Sequence, residues 1–405
     1  MCKRLQGNIQ QVLIDCLFVL LNNEQRYEGV ACHTLICKFL KMEQIEKSLL
    51  LLISNTCNLN CKYCYEWHKD NRKMTWEQVH RILENEFLNN LEPIESIDIL
   101  GGEPLTNYEL IPLISDWVCR HSPETKLFAR TNGVLLDEGK KAWFRENKER
   151  FILGLSMDGI PEVNFINRGV KHIDYDFFVE NWPDNPIKMT IFPDSVHLLA
   201  DSVITLYEKG YKLIGGLAQG VLWNKEHCLI LNEQLSILVD YYVTHPSVTP
   251  LEPVFDLNFE KAFWVPTDDA LEMPCWEKAR IHSYDCDGEL LPCHMFSKIV
   301  QGEEKRSKIL EDAKTVRNEI VVQECLECPI RWCCKTCMAM NYQHTGDFGK
   351  NINIELMCEA QKVAAAASAK LILFRNADKD ISSCSLQEYE KINNALRFLK
   401  QRKEI

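Results

Sequence analysis

Residues 57–65 read CNLNCKYCY, three cysteines on one short stretch directly after the apolar run SLLLLISN (48–55). An apolar run that ends in closely spaced thiols puts a ligand set on a loop at the end of a buried strand. Structural zinc sites are closed by four ligands, commonly from two C-x2-C pairs. Here the pattern is C-x3-C-x2-C, and His68 is the local candidate for a fourth ligand. A four-iron four-sulfur cluster held by three thiolates would instead leave one iron open to a small molecule that receives an electron. Spacing alone leaves both readings standing.

SIDILGG (96–102), KLFARTN (126–132), FILGLSMD (151–158), IKMTIF (187–192) and KLIGGLA (212–218) continue the series begun by 48–55. Their near-continuous hydrophobicity suits parallel strands covered on both faces. Between the first two, the capping box Thr75-Trp76-Glu77-Gln78 opens a helix with Val79, Ile82, Leu83 and Phe87 on one face. A further helix is expected over 195–209, closed by Gly210. Six βα units predict an α/β fold, a partial (β/α)6 barrel over 48–225, whose chemistry sits at the strands' C-terminal ends. CNLNCKYCY, GGEP, TNG and SMDG all fall there.

A helical connector is expected over 226–265, and from 266 to 405 the strand–helix rhythm gives way to paired cysteines. The tail carries the alanine-rich helix KVAAAASAKLILF (362–374) and a helix opened by the capping box Ser385-Leu386-Gln387-Glu388. Residues 1–47 are helical in pattern and hold no readable motif; as a peptide-recognition domain they would be short.

The chain has 405 residues, enough for two or three domains, and a formal net charge of −12. The acidic balance argues against a nucleic-acid partner, which needs clustered Lys and Arg. No apolar run is long enough for a membrane span; VLIDCLFVLL (12–21) is short and broken by Asp15. The expectation is a cytoplasmic protein without a membrane partner or a cleaved signal. Nineteen cysteines are an odd count, so complete disulfide pairing is impossible, and tight spacings in a reducing compartment point to metal or iron–sulfur ligation. One set is Cys57, Cys61 and Cys64; a second is Cys275, Cys286 and Cys293. The third is Cys325, Cys328, Cys333, Cys334, Cys337 and Cys358. The scattered remainder are expected to be small buried hydrophobes.

C-x3-C-x2-C after the first strand of six βα units, with Tyr63 before the last cysteine and GGEP after the second strand, resembles the radical S-adenosylmethionine (radical SAM) superfamily. The resemblance implies a 4Fe-4S cluster on Cys57, Cys61 and Cys64 whose open iron is chelated by the SAM amino and carboxylate groups. It implies that an electron from the cluster cleaves SAM and that the 5′-deoxyadenosyl radical removes a substrate hydrogen. It further implies that Gly101, Gly102, Glu103 and Pro104 contact the SAM amino group, Ser156 of LSMDG the ribose, and Arg168 of NFINRG the carboxylate. For Arg168 a solvated surface charge is the competing reading. For Thr131 and Asn132 a plain turn is expected.

C-x12-G-x4-C from Cys275 through Gly288 to Cys293, followed by Cys325-x2-Cys328-x5-Cys334, Cys337 and Cys358, is similar to the SPASM extension. That resemblance implies two auxiliary 4Fe-4S clusters. Cys325, Cys328, Cys334 and Cys358 would hold the distal one, and Cys275, Cys293 and Cys337 the one nearer the barrel. Either Cys333 or Cys334 fills the shared position. The nearer cluster is completed by Cys286 or keeps an open iron. The family resemblance implies a maturase that modifies a ribosomally made precursor peptide, with a flavodoxin or ferredoxin as electron donor. CLECPIRWCCKTCMAMNY (325–342) looks most like maturases that form thioether crosslinks at cysteine. An anaerobic sulfatase maturase, making formylglycine from Cys or Ser, is the alternative, although KLIGGLAQG (212–220) shows no acid to act as its base. A non-catalytic metal-stabilised interaction module is the reading from another class.

Overall fold

The structure is a computed structural model that describes residues 47–89, 93–263, 280–313, 325, 327–331, 334, 336–379 and 384–404. The expectations for residues 1–46, for Cys275 and for Cys333 lie outside the described residues.

All six expected strands form: β1 (Lys47–Ser54), β2 (Ile94–Gly101), β3 (Lys126–Thr131), β4 (Phe151–Leu155), β5 (Ile187–Ile191) and β6 (Leu213–Leu217). The first four pair in parallel in chain order. β5 and β6 form a second parallel sheet with β7 (Glu252–Pro253). At the C-terminal rim the two sheets meet through a bridge between Ser156 and Lys188, and the Met157 N–H donates to the Lys188 carbonyl at 2.9 Å. This is a partial barrel.

The helices α1 (Trp76–Leu83), α2 (Leu110–His121), α3 (Glu138–Glu146), α4 (Pro161–Arg168), α5 (Asp176–Asn181) and α6 (Leu199–Glu208) lie between these strands. Strand side chains alternate: Ile187, Met189 and Ile191 of β5 are buried, while Lys188 is exposed on the other face. The buried faces meet Val79 and Leu83 of α1 and Ile111, Ile114 and Val118 of α2 in one core. The expected capping box at Thr75 and Gln78 is complete, and such a cap contributes about 1 kcal/mol.

The rest is α7 (Lys225–Thr244), α8 (Lys298–Gln301), α9 (Glu303–Ala313), α10 (Met338–Thr345), α11 (Asn353–Leu356), α12 (Cys358–Arg375) and α13 (Leu386–Arg402). The alanines make α12 thin enough to be buried on two sides. Ala360, Ala364 and Ala367 join the barrel core with Leu231 and Leu235 of α7, while Ala365 and Ala369 pack with Ala395 and Phe398 of α13. Among the described residues no helix is long and apolar enough to cross a membrane.

The region beyond 266 departs from expectation in one respect. It returns to the barrel: β8 (Ile281–Tyr284) pairs in parallel with β1, and β9 (Leu290–Leu291) pairs antiparallel to β8. A four-residue strand with His and Ser interleaved carries too little periodicity to announce itself. With β2 on one side and β8 on the other, β1 is central, and Leu49, Leu51 and Ile53 are fully buried.

A buried charge cluster locks this junction. Lys47 Nζ lies 2.7 Å from Glu86 Oε2, and both side chains are almost wholly buried. Glu86 Oε1 accepts from Tyr284 Oη at 2.6 Å and contacts His282 Nδ1 at 2.8 Å. Burial raises the Glu86 carboxyl, but the hydrogen bonds from Lys47, Tyr284 and His282 outweigh it and hold the pKa below its usual value. Glu86→Gln strands the Lys47 ammonium and is expected to cost about 3–5 kcal/mol. A depressed carboxyl stabilises above its unfolded pKa and stops doing so as pH falls through the folded one. Urea unfolding should therefore show a gap between wild type and Glu86→Gln that is full at pH 7 and shrinks below pH ~4.

Candidate active site

The rim is built around two close approaches. A Cβ on Gly101 would lie 2.4 Å from the Ser54 carbonyl oxygen, and one on Gly102 2.7 Å from that of Thr56 and 3.1 Å from Cys57 Cβ. Only glycine lets the end of β2 press against the chain entering Cys57. The Gly102 and Glu103 N–H groups donate to Ser54 and Thr56 carbonyls at 2.8 and 2.9 Å. Pro104 then starts a short 3-10 turn over Pro104–Asn107.

Glu103 is 2% exposed. Its Oε1 accepts from Thr131 Oγ1 at 2.6 Å and from the Leu105 N–H at 3.1 Å, and its Oε2 from the Asn132 N–H at 2.9 Å. Asn132 Nδ2 in turn donates to Asn58 Oδ1 at 2.9 Å. Thr131 and Asn132 thus do more than turn the chain: they tie GGEP to the CNLNC loop. A carboxylate has about four acceptor positions, and three are used here. Burial raises the Glu103 pKa, and the three donors oppose it.

Ser156 ends β4 at the rim, its N–H donating to the Thr131 carbonyl at 2.9 Å. Two residues on, Asp158 is fully buried at its side chain and pairs with Arg168 Nη2 at 2.8 Å. The same carboxylate accepts from Tyr63 Oη at 2.7 Å, Asn167 Nδ2 at 3.2 Å and the Thr190 N–H at 2.9 Å. The Arg168 guanidinium sits over the Tyr63 ring, 5.6 Å from its centroid. At 8% exposure Arg168 is no solvated surface charge. Its Nε and the Oδ1 of Asn167 are buried without a hydrogen-bond partner. The sequence reading missed Asp158; its signal was an acid two residues past the strand-ending serine, ten before Arg168.

Cys57, Cys61 and Cys64 are all partly exposed on this pinned loop. Burial raises each thiol, that of Cys57 to about 11. The Leu59 N–H approaches Cys57 Sγ at 3.5 Å. Cys61 lies within electrostatic reach of Arg168, and Cys64 of Lys69. His68, the proposed fourth zinc ligand, donates its N–H to the Ile299 carbonyl at 2.9 Å. Its ring lies against Gly302, where a Cβ would meet it at 3.0 Å. Among the described residues no three of His, Cys, Asp and Glu converge on a single metal ion. A zinc site needs four ligands about one ion, whereas each thiolate of a cluster binds a separate iron. The residues present fit a three-thiolate cluster with SAM: thiols on one loop, an orphaned guanidinium Nε beside them, and a buried carboxylate with acceptor capacity left.

Among the C-terminal cysteines, Cys293 and Cys337 pack with Tyr65 against the apolar group of Met295, Phe296 and Met338. Gln343 of α10 donates to the Tyr65 and Val300 carbonyls, both at 2.8 Å, fixing that helix against the CNLNCKYCY loop. Cys328 lies within electrostatic reach of Cys325 and Cys358. Asn351 Nδ2 donates to Cys325 Sγ at 3.2 Å, and the Cys334 N–H to the Ile330 carbonyl at 2.9 Å. Cys286 is 4% exposed, and its Sγ lies 3.1 Å from the Leu52 carbonyl oxygen and 3.2 Å from Asn55 Oδ1, two acceptors for its single S–H.

Asp158→Asn removes the charge that matches buried Arg168. The expected loss of stability is about 3–5 kcal/mol, read by urea unfolding. Limited proteolysis inside 57–64 should accelerate, because Tyr63 loses its anchor.

The radical SAM superfamily model matches residues 51–182. A cysteine-type anaerobic sulfatase-maturating enzyme of Clostridium perfringens is 35% identical over 125 residues, 28% of this chain and 33% of that protein. A radical SAM cyclopropyl synthase, TigE, of Paramaledivibacter caminithermalis is 32% identical over 118 residues, 24% of this chain and 25% of that protein. An uncharacterised protein of Methanocaldococcus jannaschii is 34% identical over 128 residues, 31% of this chain and 43% of that protein. These matches thus span less than half the length of each curated relative. The fold is shared with native anSMEcpe with bound AdoMet (TM-score 0.58, 18% identity, 82% of this chain and all of that one). It is also shared with Streptococcus suis SuiB bound to precursor peptide SuiA (TM-score 0.51, 15% identity, 84% and 86%). Residues 51–182, with the cysteine loop, GGEP and the Asp158 network, form a domain of the radical SAM superfamily.

Proposed function

We propose that the chain is a radical SAM peptide maturase that modifies a ribosomally made precursor peptide. The observation that carries this reading is the Cys57–Cys64 loop, pinned from one side through Glu103 and from the other through Asp158, with the unpaired Nε of Arg168 beside it. In this reading Cys57, Cys61 and Cys64 hold a 4Fe-4S cluster. Gly101, Gly102, Glu103 and Pro104 shape the SAM amino-group site, Ser156 faces the ribose, and Arg168 offers its Nε to the carboxylate. When bound, cluster and SAM together supply a carbon radical able to remove a substrate hydrogen. The chain's own residues orient: Asp158 fixes the guanidinium and the Tyr63 ring, and Thr131 and Asn132 hold the Glu103 carboxylate.

The C-terminal cysteines are read as ligands of two auxiliary clusters, with Cys325, Cys328, Cys334 and Cys358 on one and Cys275, Cys293 and Cys337 on the other. The packing of Cys293 and Cys337 beside Tyr65 supports placing the second set near the barrel. Peptide modification is supported by the sulfatase-maturating relatives; thioether formation at cysteine, its finer form, rests on the likeness of CLECPIRWCCKTCMAMNY (325–342) to thioether-forming maturases. The sulfatase-maturase alternative is weakened by Gln219, with no acid in the segment 212–220. A flavodoxin or ferredoxin is the expected electron donor.

Anaerobically reconstituted protein should cleave SAM to 5′-deoxyadenosine when reduced, and Cys61→Ala should abolish this; retained cleavage in that variant sinks the assignment. Iron should approach about twelve per chain, four for each of three clusters. The triple Cys57/Cys61/Cys64→Ala variant should lose about a third of it, and an iron-free triple variant would refute the auxiliary clusters.

A further inference from the structure

We infer that Arg130 selects the peptide by charge, seating one of its carboxylates on the inner face of the sheet just below the rim; the inference rests on the peptide-maturase reading above. The two faces of β3 to β6 differ. Leu127, Ala129, Ile187 and Met189 point outward and are buried in the core beneath the helices. Facing the other way, Phe128, Arg130, Ile152 and Ile214 are half-buried and Lys188 is exposed. Met295, Phe296 and Met338 pack on that inner face against Leu50 and Leu52 of β1 and Leu100 of β2. Under β3 to β6 the face stays open to water, as the wall of a ligand cavity does.

Arg130 is in register with Gly154 of β4. A Cβ on Gly154 would stand 2.9 Å from Phe128 Cζ and 3.3 Å from both Arg130 Nη1 and Asn185 Nδ2. The bare glycine thus leaves a notch on which two donors from different elements converge. The Phe128 ring lies beneath the guanidinium, 5.1 Å from centroid to Cζ, and fixes its plane. Of the five N–H groups of Arg130, one is used: Nη1 donates to the Leu155 carbonyl at 3.3 Å. Among the described residues the Asn185 side-chain amide has no hydrogen-bond partner.

The acid within electrostatic reach of Arg130 is Asp98 of β2. It stands in register with Phe128, two residues deeper, and among the described residues no hydrogen bond or ion pair joins it to the guanidinium. Burial lowers the Arg130 pKa and Asp98 opposes this only in part, so the guanidinium is short of negative charge. Lys188, bridged to Ser156 on the same face, adds a second cation. An open guanidinium fork beside an amide donor fits a carboxylate, which it can hold through two parallel hydrogen bonds. Ser156 lies two residues further along β4 than Gly154, about 7 Å at the rise of a strand. A carboxylate held here therefore fixes the peptide next to the proposed SAM site, and fixed orientation is what a reaction between two bound partners needs.

The test is calorimetric titration of the anaerobically reconstituted full chain, with SAM present, by three probe peptides. These are acetyl-Gly-Glu-Cys-Gly-amide, its Gln counterpart, and that Gln peptide with a free C-terminal carboxylate. A peptide with a carboxylate should bind about tenfold more tightly than the uncharged one. Preference for the Glu peptide names a side chain as the group held, and preference for the free acid names the chain end. Arg130→Gln should abolish the preference, and Arg130→Met decides in its place if that variant does not fold. Equal binding of the three peptides to the wild-type protein, or binding of none, overturns the inference. So does a preference that survives in Arg130→Gln, or a loss of SAM binding in that variant, which would place Arg130 in the SAM site. Wild-type protein that holds its iron and cleaves SAM but shows no preference leaves the underlying reading intact. A failure to bind or cleave SAM at all would sink that reading instead.

Discussion

The carboxylate of Asp158 is the constraint on which the site depends. It is buried and takes hydrogen bonds from Tyr63 of the cysteine loop, Arg168 and Asn167 of α4, and the backbone of Thr190 on β5. Those partners lie in different parts of the fold: the loop after β1, the helix after β4, and the second sheet. β4 and β5 share little backbone pairing at their junction, so this one acid does much of the work of joining the two sheets at the rim. A buried carboxylate with four donors is stable only if all arrive together. The cysteine loop is therefore placed by the same event that closes the partial barrel.

Glu103 acts from the opposite side in the same manner. Its oxygens are claimed by Thr131, Asn132 and Leu105, and Asn132 passes the constraint on to Asn58. The loop that presents the thiols thus has an acid-centred anchor at either flank. The C-terminal region adds a third, through Gln343 on the Tyr65 carbonyl and through β8 on β1. Arg72, just past the loop, reaches Glu303 and Asp287, which also pair with Lys298 of α8, but such part-exposed pairs contribute little each. The buried pairs, Arg168 with Asp158, Lys47 with Glu86 and Arg306 with Asp285, are the ones whose loss would be felt.

Much of this was legible in the sequence because buried parallel strands read as short continuous apolar runs, and all six appear within a few residues of where SLLLLISN and its successors put them. Cysteine spacing and GGEP were legible because the chemistry fixes the residue types locally. Asp158 was not, since its importance comes from Tyr63, 95 positions away. Thr131 and Asn132 read as a turn because their partner, Glu103, lies on another strand end. β8 was hidden by its brevity. Cys286 was read, beside an open iron, as a possible completing ligand from its company in YDCDGELLPC; its burial beneath β1, facing Leu52 and Asn55, was not legible there. The common cause is that long-range polar pairing leaves no periodic trace.

In the proposed function the pinned loop presents a cluster with an open iron to SAM beside Arg168. The direct measurement is the paramagnetic resonance spectrum of the reduced, reconstituted protein with and without SAM. SAM should alter the signal that depends on Cys57, Cys61 and Cys64, and Arg168→Gln should raise the SAM concentration needed for that change. A signal indifferent to saturating SAM in the wild-type protein would contradict it.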